Sequence, residues 1–271
     1  MTSGAEPIAI AVAGAGGRMG RTVLKAAQAD AAYRIAAAFD RPDAEVAGVD
    51  TGALIGAAPL GVAVASTWTP TPGDILIDFT APAASIAHAR AAAETGAALV
   101  IGSTGFTPEE TDEIAKAAAK TAIVKSGNMS LGVNLIAALV EQAAASLGPD
   151  FDIEISETHH RRKVDAPSGT ALLLGEAAAA GRGVDLAKAS VRGRDGIAPP
   201  RAAGEIGFAS LRGGGVFGDH TVLFASDDEV VEISHRALNR DLFAKGALRA
   251  AAWLKAGRAP GLYSMRDVLG L

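Results

Sequence analysis

The sequence has no cysteine and few aromatic residues. Phenylalanine, tryptophan and tyrosine together account for 4% of its 271 residues. The lack of cysteine excludes disulfide bonds and thiolate catalysis, and it is compatible with the cytoplasmic location that we expect. The scarcity of aromatic rings leaves little surface on which nucleic-acid bases could stack, so we expect no nucleic-acid partner.

Long apolar runs and an excess of positive charge are absent as well. Residues 1–7 lack the basic segment that opens a signal peptide, and the next apolar run is short and interrupted by glycine. We therefore expect neither a signal peptide nor a membrane-spanning segment. The net charge of −5 argues against bulk affinity for nucleic acid or anionic lipid. A chain of this length that is 49% hydrophobic can form one large domain or two ordinary ones.

Cationic residues are concentrated in one segment, residues 157–170. An alternating strand-like run, 151–156, leads into five consecutive residues, His159 to Lys163, that are or can be cationic. A Pro-Ser-Gly-Thr turn follows, and Ser168 is the expected N-cap of the next helix. Because a helix N-terminus attracts anions, the segment predicts a site for a carboxylated substrate that exchanges a proton. A solvated basic loop or a nucleic-acid patch is the alternative for this segment alone.

A glycine-rich turn follows the first apolar run, residues 8–13. The turn reads Gly14-Ala15-Gly16-Gly17-Arg18-Met19-Gly20, and a helical pattern begins after it. Strand, glycine turn and helix is the order that a dinucleotide-binding loop requires, since glycine lets the backbone approach the pyrophosphate. Gly20 comes one residue later than the general fingerprint places its third glycine. The turn predicts cofactor binding, with an ordinary tight turn as the alternative.

The second apolar run, residues 35–39, ends at Asp40-Arg41. An acidic residue at this position usually bonds the adenosine ribose, and a neighbouring arginine can pair with a 2′-phosphate. The presence of both, together with Arg18, suggests that NADH and NADPH are both accepted. The alternative is a plain surface turn before Pro42.

Strand-like and helical patterns alternate through the first half of the chain. Apolar runs at 75–79, 98–101 and 122–124 each end in a polar turn that precedes a helical pattern. This alternation predicts an α/β fold with a Rossmann-type, doubly wound parallel sheet. The polar strand ends would lie along one carboxyl edge, where such sheets bind ligands.

The pattern changes after residue 150. Strand-like runs at 206–211, 220–224 and 230–235 predict a second, β-rich α+β domain with antiparallel neighbours, and we assign residues 213–215 to a hairpin. The helical pattern of residues 241–255 is expected to return to the first domain. We therefore predict a dinucleotide-binding domain of residues 1–130 plus 241–271, and a substrate-binding and oligomerisation domain of residues 131–240.

These motifs together resemble the 4-hydroxy-tetrahydrodipicolinate reductases (dihydrodipicolinate reductases) of bacterial lysine and diaminopimelate biosynthesis. The resemblance covers almost the whole chain, and its most specific part is the His-His-Arg-x-Lys-x-Asp-Ala-Pro-Ser-Gly-Thr run. The late position of the third glycine, Gly20, is also typical of this family. Asp40 stands where many relatives have glutamate, and Ser103-Thr104 stands where they often have two threonines. The motifs that carry the resemblance are residues 14–20, 78–80, 102–106, 128–130, 157–170 and 265–269.

The resemblance implies an oxidoreductase that uses NADH or NADPH to reduce a small dicarboxylate ring to tetrahydrodipicolinate. It implies that His159 is the proton donor or acceptor and Lys163 the second proton donor, and that the chain forms a homotetramer through its β-rich domains. An unperturbed imidazole titrates near ~6.5, which suits this role. The implied substrate-binding residues are His160, Lys163, Ser168, Gly169 and Thr170. The implied cofactor-binding residues are Gly14, Ala15, Gly16, Gly17, Arg18, Met19, Asp40, Arg41, Gly102, Ser103, Thr104, Ser126, Gly127, Asn128 and Met129.

Three further hypotheses concern metals and competing functions. No cluster has a metal-ligand spacing, because His159 and His160 are adjacent and would point to opposite faces of an extended chain, so we expect no metal site. Another two-domain NAD(P)-dependent oxidoreductase, acting on a semialdehyde or a sugar, would keep the glycine turn without needing the basic run. A non-catalytic NAD(P)-sensing protein would bind nucleotide without His159 and Lys163. The sequence leaves open the cofactor preference, whether the bound ring is hydroxylated or dehydrated, and whether Lys163 acts as an acid or as a carboxylate clamp.

Overall fold

The computed structural model describes residues 6–197 and 199–271, which form two compact units. One unit contains the residues up to Ser130 together with Asp241–Gly270, and the other contains Leu131–Arg240 with Leu271. The strands are β1 (Ile8–Ala13), β2 (Tyr33–Phe39), β3 (Val64–Ala65), β4 (Ile75–Asp78), β5 (Ala98–Ile101), β6 (Ala122–Lys125), β7 (Asp152–His159), β8 (Ser190–Val191), β9 (Ile206–Arg212), β10 (Asp219–Ala225), β11 (Val230–Arg236) and β12 (Gly261–Tyr263). The helices are α1 (Arg18–Gln28), α2 (Thr51–Leu54), α3 (Pro82–Thr95), α4 (Pro108–Ala118), α5 (Leu131–Leu147), α6 (Gly169–Arg182), α7 (Leu186–Ala189), α8 (Asp241–Lys255) and α9 (Met265–Leu269).

The first unit is built on a parallel sheet with the strand order β12-β6-β5-β4-β1-β2-β3. Its central strands are short apolar runs because both faces of the sheet are covered by helices. Neighbouring residues of β4 that point to opposite faces, Leu76 and Ile77, are both fully buried. The predicted doubly wound parallel sheet is therefore confirmed.

The strand order reverses between β1 and β4, because the chain moves outward from β1 through β2 and returns to build β4 on the other side. Such a reversal opens a crevice at the carboxyl ends of the two strands, and ligands bind there in sheets of this type. The glycine turn follows β1, and Thr80 lies two residues after the end of β4. The fold thus places the predicted cofactor loop at the switch point of the sheet.

Helix α8 begins at Asp241 and ends at Lys255, as the sequence pattern predicts. It belongs to the first unit, where it packs against α1 and accepts a hydrogen bond from the Tyr33 hydroxyl at the Leu248 carbonyl oxygen, 3.0 Å away. Several short elements carry no clear pattern and were not predicted: α2, α7, α9, β8 and the edge strand β12.

The second unit contains a mixed sheet with the strand order β11-β10-β7-β9-β8. One face of this sheet packs on α5 and α6, where Ile155, Phe208, Val222 and Phe224 are among the buried residues. The other face carries exposed small and apolar side chains together with charged ones such as Asp152 and Glu232. The predicted antiparallel pair β10 and β11 is present, with its turn closed by a hydrogen bond from the Ser226 N–H to the Glu229 carbonyl oxygen at 2.9 Å.

The assignment of residues 213–215 to a hairpin is wrong. Strands β9 and β10 do not pair with each other, because they lie on opposite sides of β7, β9 parallel to it and β10 antiparallel. The glycine segment instead crosses the end of β7, where the Gly213 N–H bonds the His159 carbonyl oxygen at 2.9 Å. Strand periodicity shows which face of a strand is buried but does not show which strand is its neighbour, so the crossing was not visible in the sequence.

Candidate active site

The glycine turn after β1 is held by contacts that only glycine permits. Gly14 has φ +67°, and its carbonyl oxygen accepts a hydrogen bond from the Gly17 N–H at 2.9 Å. A Cβ at Gly20 would lie 2.1 Å from that same oxygen, so α1 can approach the turn only if residue 20 is glycine. Gly17 is the N-cap of α1 and offers no side-chain hydrogen bond. A helix N-terminus without a side-chain cap suits a phosphate group.

Asp40 at the end of β2 is tied to the glycine turn. Its Oδ2 atom accepts a hydrogen bond from the Gly16 N–H, and its Oδ1 atom accepts one from the Arg41 N–H, each at 2.8 Å. The Arg41 side chain is 76% exposed and its Nε lies 3.2 Å from Asp43 Oδ1. Asp40 therefore lies at the turn itself, whereas the Arg41 guanidinium lies at the surface beside another carboxylate.

A buried carboxylate, Asp78, follows at the end of β4. It accepts hydrogen bonds from the N–H and the hydroxyl of Thr80 at 2.8 and 2.6 Å, and His88 Nδ1 lies 2.9 Å from it. Burial raises the pKa of Asp78, but the bonds from His88 and Thr80 outweigh burial and hold that pKa below its usual range. The Ser103 hydroxyl bonds Asp78 at 3.4 Å and lies 2.9 Å from the Ser85 hydroxyl. The hydroxyl of Ser103, a predicted cofactor residue, is thus engaged inside the protein.

The turns after β5 and β6 are joined through their backbones. The Ser126 N–H bonds the Ile101 carbonyl oxygen at 3.1 Å, and the Ser126 hydroxyl bonds the Asn128 carbonyl oxygen at 2.8 Å. A Cβ at Gly102 would overlap the ring of Phe79, so this position is restricted to glycine. Met129 is 1% exposed, which places its side chain in the core. Thr104 is exposed, and a Cβ added at Gly127 would meet no neighbouring atom.

In the second unit, Glu157 and His159 point to the helix-covered face of β7. The Glu157 carboxylate lies 2.6 Å from His159 Nδ1 and accepts two parallel hydrogen bonds from the Arg212 guanidinium, both at 2.8 Å. The Glu157 side chain is 1% exposed. Burial raises its pKa, but the hydrogen bonds from Arg212 and His159 outweigh burial and lower that pKa to about 2. The carboxylate is therefore ionised at neutral pH.

The predicted N-cap of α6 is confirmed. The Ser168 hydroxyl accepts a hydrogen bond from the Ala171 N–H at 3.1 Å, and the Ser168 N–H donates to Glu157 Oε1 at 3.1 Å. The same hydroxyl lies 3.0 Å from Nε2 of His220. Burial, with a smaller contribution from His159, lowers the pKa of His220 to about 4, so its imidazole is neutral. Gly169 and Thr170 are the first two residues of the helix.

Lys163 and His160 lie in the turn between β7 and α6. Lys163 Nζ is 2.8 Å from Asp165 Oδ2; the Lys163 side chain is 19% exposed and that of Asp165 is 57% exposed. The Lys163 N–H bonds the His160 carbonyl oxygen at 3.0 Å. Nδ1 of His160 is buried and has no hydrogen-bond partner among the residues that the structure describes. The turn thus holds one engaged ammonium group and one imidazole with a free ring nitrogen.

Three residues of this site were not predicted as functional: Glu157, Arg212 and His220. Glu157 could have been found, since it precedes His159 by two residues and strand side chains two apart share a face. Arg212 and His220 lie on other strands, opposite His159 and Glu157 in the register of the sheet. Their approach depends on strand order, for which the sequence gives no signal.

Metal-binding and membrane-spanning features are absent from the described residues. In residues 6–197 and 199–271, no group of three or more histidine, aspartate or glutamate side chains is placed to hold a metal ion. Over the same ranges, no helix is long and apolar enough to cross a membrane.

Comparison with known proteins shows the family of the chain. Residues 8–129 match the model for the N-terminus of dihydrodipicolinate reductase, and residues 132–269 match the model for its C-terminus. The 4-hydroxy-tetrahydrodipicolinate reductase of Rhodopseudomonas palustris strain BisB18 is 54% identical over 262 residues, 96% of each chain. That of Caulobacter vibrioides is 53% identical over 267 residues, 98% of each chain.

A solved structure is similar in fold. The dipicolinate-bound dihydrodipicolinate reductase from Paenisporosarcina sp. TG-14 has a TM-score of 0.76 and 23% sequence identity, and the match covers 96% of this chain and 98% of that one. Both family models and the identities above 50% span nearly the whole sequence. The chain therefore belongs to the dihydrodipicolinate reductase family.

Proposed function

We propose that the chain reduces 4-hydroxy-tetrahydrodipicolinate, or the dihydrodipicolinate formed from it, to tetrahydrodipicolinate with NADH or NADPH. The observation that carries this proposal is a single hydrogen-bonded group in the second unit. It joins the imidazole of His159, the buried carboxylate of Glu157 and the N-terminus of α6. Family membership supports an oxidoreductase of lysine and diaminopimelate biosynthesis and does not favour the two alternative functions.

The first unit has the features that a nicotinamide dinucleotide requires. The uncapped N-terminus of α1, the close approach of Gly20 to Gly14 and the carboxylate of Asp40 would hold the pyrophosphate and the adenosine ribose. The backbones of the turns at 102–104 and 126–129 would hold the nicotinamide end. The reduced cofactor supplies a hydride when bound. We assign residues 1–130 and 241–271 to the cofactor domain on these grounds.

The second unit has the features that a small dicarboxylate requires. The structure of the Paenisporosarcina relative is a complex with dipicolinate, which is a planar dicarboxylate. In this chain the N-terminus of α6 with Ser168, Gly169 and Thr170 would bind one carboxylate, and His160 and Lys163 would stabilise its charge. His159 would then donate the proton that completes the reduction, with Lys163 as a second donor or as a clamp. Residues 131–240 would thus form the substrate-binding and oligomerisation domain.

The exposed face of the second sheet supports a homotetramer. Two apolar residues on this face, Leu211 and Val230, are 54% and 57% exposed, and the small side chains of Ser156 and Ala209 are exposed on the same face. A sheet face with exposed apolar residues is suited to packing against a second copy. We propose that copies associate through this face and that the assembly works in the cytoplasm.

The test is a coupled assay with purified protein. The preceding synthase would generate the substrate in the cuvette from pyruvate and aspartate semialdehyde, and loss of reduced-nicotinamide absorbance would be followed with NADH and with NADPH. We expect oxidation that requires every component, and the ratio of the two rates measures the selectivity that Asp40 and Arg41 provide. Binding of both nucleotides without oxidation of either would contradict the proposal and would favour a sensing protein.

A further inference from the structure

We propose that Glu157 is a positioning residue: held by Arg212, it fixes the ring of His159 so that Nε2 is the atom that exchanges the proton. The inference rests on the proposed function, in which His159 is the proton donor. It adds a buried carboxylate and its arginine partner to the groups on which the reaction depends. Four observations support it, namely the bonding of the His159 ring, the charge on Glu157, the surroundings of Nε2 and the link to α6.

The bonding of the His159 ring fixes its tautomer. Nδ1 of His159 lies 2.6 Å from Glu157 Oε2. An ionised carboxylate can only accept hydrogen bonds, so the ring nitrogen that faces it carries the proton. The neutral ring therefore has its lone pair on Nε2, and the proton that the ring gains or loses is on Nε2. This is the arrangement that a proton donor with a single reactive nitrogen needs.

Arg212 keeps the Glu157 carboxylate ionised. Its two terminal nitrogens each bond one oxygen of Glu157 at 2.8 Å, the bidentate geometry that arginine forms with carboxylates. The guanidinium also bonds the Asp165 carbonyl oxygen at 2.6 Å, which anchors it to the turn before α6. Without Arg212, a carboxylate this deeply buried would be driven toward its neutral form, and it could then no longer fix the ring.

The Nε2 side of the ring faces the backbone of Gly218, just before β10. A Cβ at residue 218 would lie 2.8 Å from His159 Nε2, so the absence of a side chain there is what lets the chain pass this close to the reactive nitrogen. The neutral ring of His220 meets the His159 ring edge to face at 5.1 Å. Charged and titratable groups surround His159 and Glu157 on several sides. Strand β9 contributes Arg212, and β10 contributes His220, with His235 of β11 next to it. The turn before α6 contributes Lys163 and Asp165.

The same carboxylate links His159 to the helix that would bind the substrate. Oε2 faces His159, whereas Oε1 accepts the Ser168 N–H at 3.1 Å, at the N-cap of α6. One rigid group therefore sets both the direction of the imidazole and the position of the helix N-terminus. Catalysis by proton transfer depends on such alignment between the donor and the bound substrate.

The experiment compares Glu157→Gln with wild type and with a matched control. Glutamine keeps the size of the side chain but removes the charge and can bond either tautomer of the ring. We expect kcat to fall on the order of 10–10²-fold, a part of the usual contribution of a general acid, with little change in NADH binding. The alkaline limb of the kcat–pH profile should move to lower pH, because the imidazolium loses its negative partner. Glu154→Gln, on the same strand and also bonded by arginine, serves as the control and should keep turnover within about threefold.

A double-mutant cycle with His159→Gln separates a positioning role from a structural one. If Glu157 acts through His159, then Glu157→Gln should lower kcat in the wild-type background and have little further effect in the His159→Gln background. Equal losses in both backgrounds would overturn the inference. If His159→Gln itself leaves kcat unchanged, the proposed role of His159 fails. If His159→Gln is strongly impaired while Glu157→Gln is normal, the inference about Glu157 alone fails.

A second variant and a spectroscopic measurement cover the case in which Glu157→Gln does not fold. Arg212→Lys keeps a positive charge but loses the bidentate bond, and we expect kcat to fall about tenfold with the same shift of the pH profile. In ¹⁵N NMR spectra of the wild-type protein, the neutral His159 ring should show a protonated Nδ1 and an unprotonated Nε2. The opposite tautomer would refute the proposal, as would an Arg212→Lys variant with normal turnover and an unchanged pH profile.

Discussion

Glu154 and Glu157 show how one strand gives two carboxylates different environments. Both lie on β7, and both accept hydrogen bonds from arginine side chains. Because side chains alternate along a strand, Glu157 points to the helix-covered face and Glu154 to the opposite face. The Glu157 side chain is 1% exposed, and the Glu154 side chain is 29% exposed. The buried carboxylate is held ionised beside an imidazole, whereas the half-buried one joins an ion-pair network with Arg194 and Arg201.

Replacing Lys163 with alanine should reduce turnover. Lys163 is the ammonium group in the turn before α6, and its removal takes away either a proton donor or a carboxylate clamp. We expect kcat/KM to fall by about 10²-fold or more in steady-state assays, the usual scale for such a group. Asp165→Asn is the control, because it removes the partner of Lys163 but keeps the ammonium group. Near-normal turnover of Lys163→Ala would rule out the assignment.

Buried neutral imidazoles should make the stability of the protein depend on pH. Burial lowers the pKa of His220 to about 4 from 6.5, and burial also lowers the pKa of His235. The unfolded chain takes up these protons below about pH 6.5, whereas the folded protein resists them, so unfolding becomes easier as the pH falls from about 6.5 toward 4. Urea unfolding at pH 7 and pH 5 should show the loss, and His220→Asn should reduce the difference. Carboxylates with lowered pKa values, such as Glu157, stabilise the folded protein in their ionised form. That contribution is lost at lower pH, as the pH falls from about 4.5 to about 2.

At the scale of elements, the contact between the glycine turn and α1 determines how closely α1 packs against the end of β1. The turn requires the left-handed backbone of Gly14, and the helix requires Gly20 at the point of closest approach. These two positions explain why the third glycine comes late relative to the general fingerprint. It is placed where α1 passes over the Gly14 carbonyl oxygen, within the first turn of the helix.

Replacing Gly20 with alanine should displace α1 from the turn. The added Cβ would overlap the Gly14 carbonyl oxygen, a backbone atom that cannot rotate away. We expect a loss of about 1–3 kcal/mol in the free energy of unfolding, measured with urea, because overpacking forces the backbone to shift. The affinity for NADH, measured by fluorescence, should fall as well. Gly213→Ala, whose added methyl group meets no neighbouring atom, is the control, and equal effects of the two substitutions would contradict this account.

Elements with strong local signals were predicted well. Helix α4 begins at Pro108, and a capping box between Thr107 and Glu110 caps its N-terminus. Helix α8 has the predicted bounds. The edge strand β12 was missed because it is three residues long and its central residue, Leu262, is 42% exposed. A short strand at the edge of a sheet is defined by its neighbour rather than by a pattern of its own.

At the scale of the whole molecule, the assembly can be tested through the exposed face of the second sheet. Leu211→Asp places a charge on the proposed contact face, and we expect it to convert a tetramer into smaller species in light-scattering measurements, because a buried unpaired charge is costly. Leu238→Asp, which changes an exposed leucine outside the sheet, should leave the assembly intact. A wild-type protein that is monomeric would contradict the proposed homotetramer.

The sequence by itself determined the parallel sheet of the first unit, the glycine turn, the N-cap at Ser168 and the family. These features depend on neighbours along the chain, since strand and helix periods, glycine spacing and capping residues act over a few positions. Only the tertiary structure decided that β7 lies between β9 and β10, and therefore that Arg212 and His220 meet Glu157 and His159. Arg212 and His220 are more than 50 residues from Glu157 along the chain, and strand order is settled by packing over the whole sheet rather than by any local pattern.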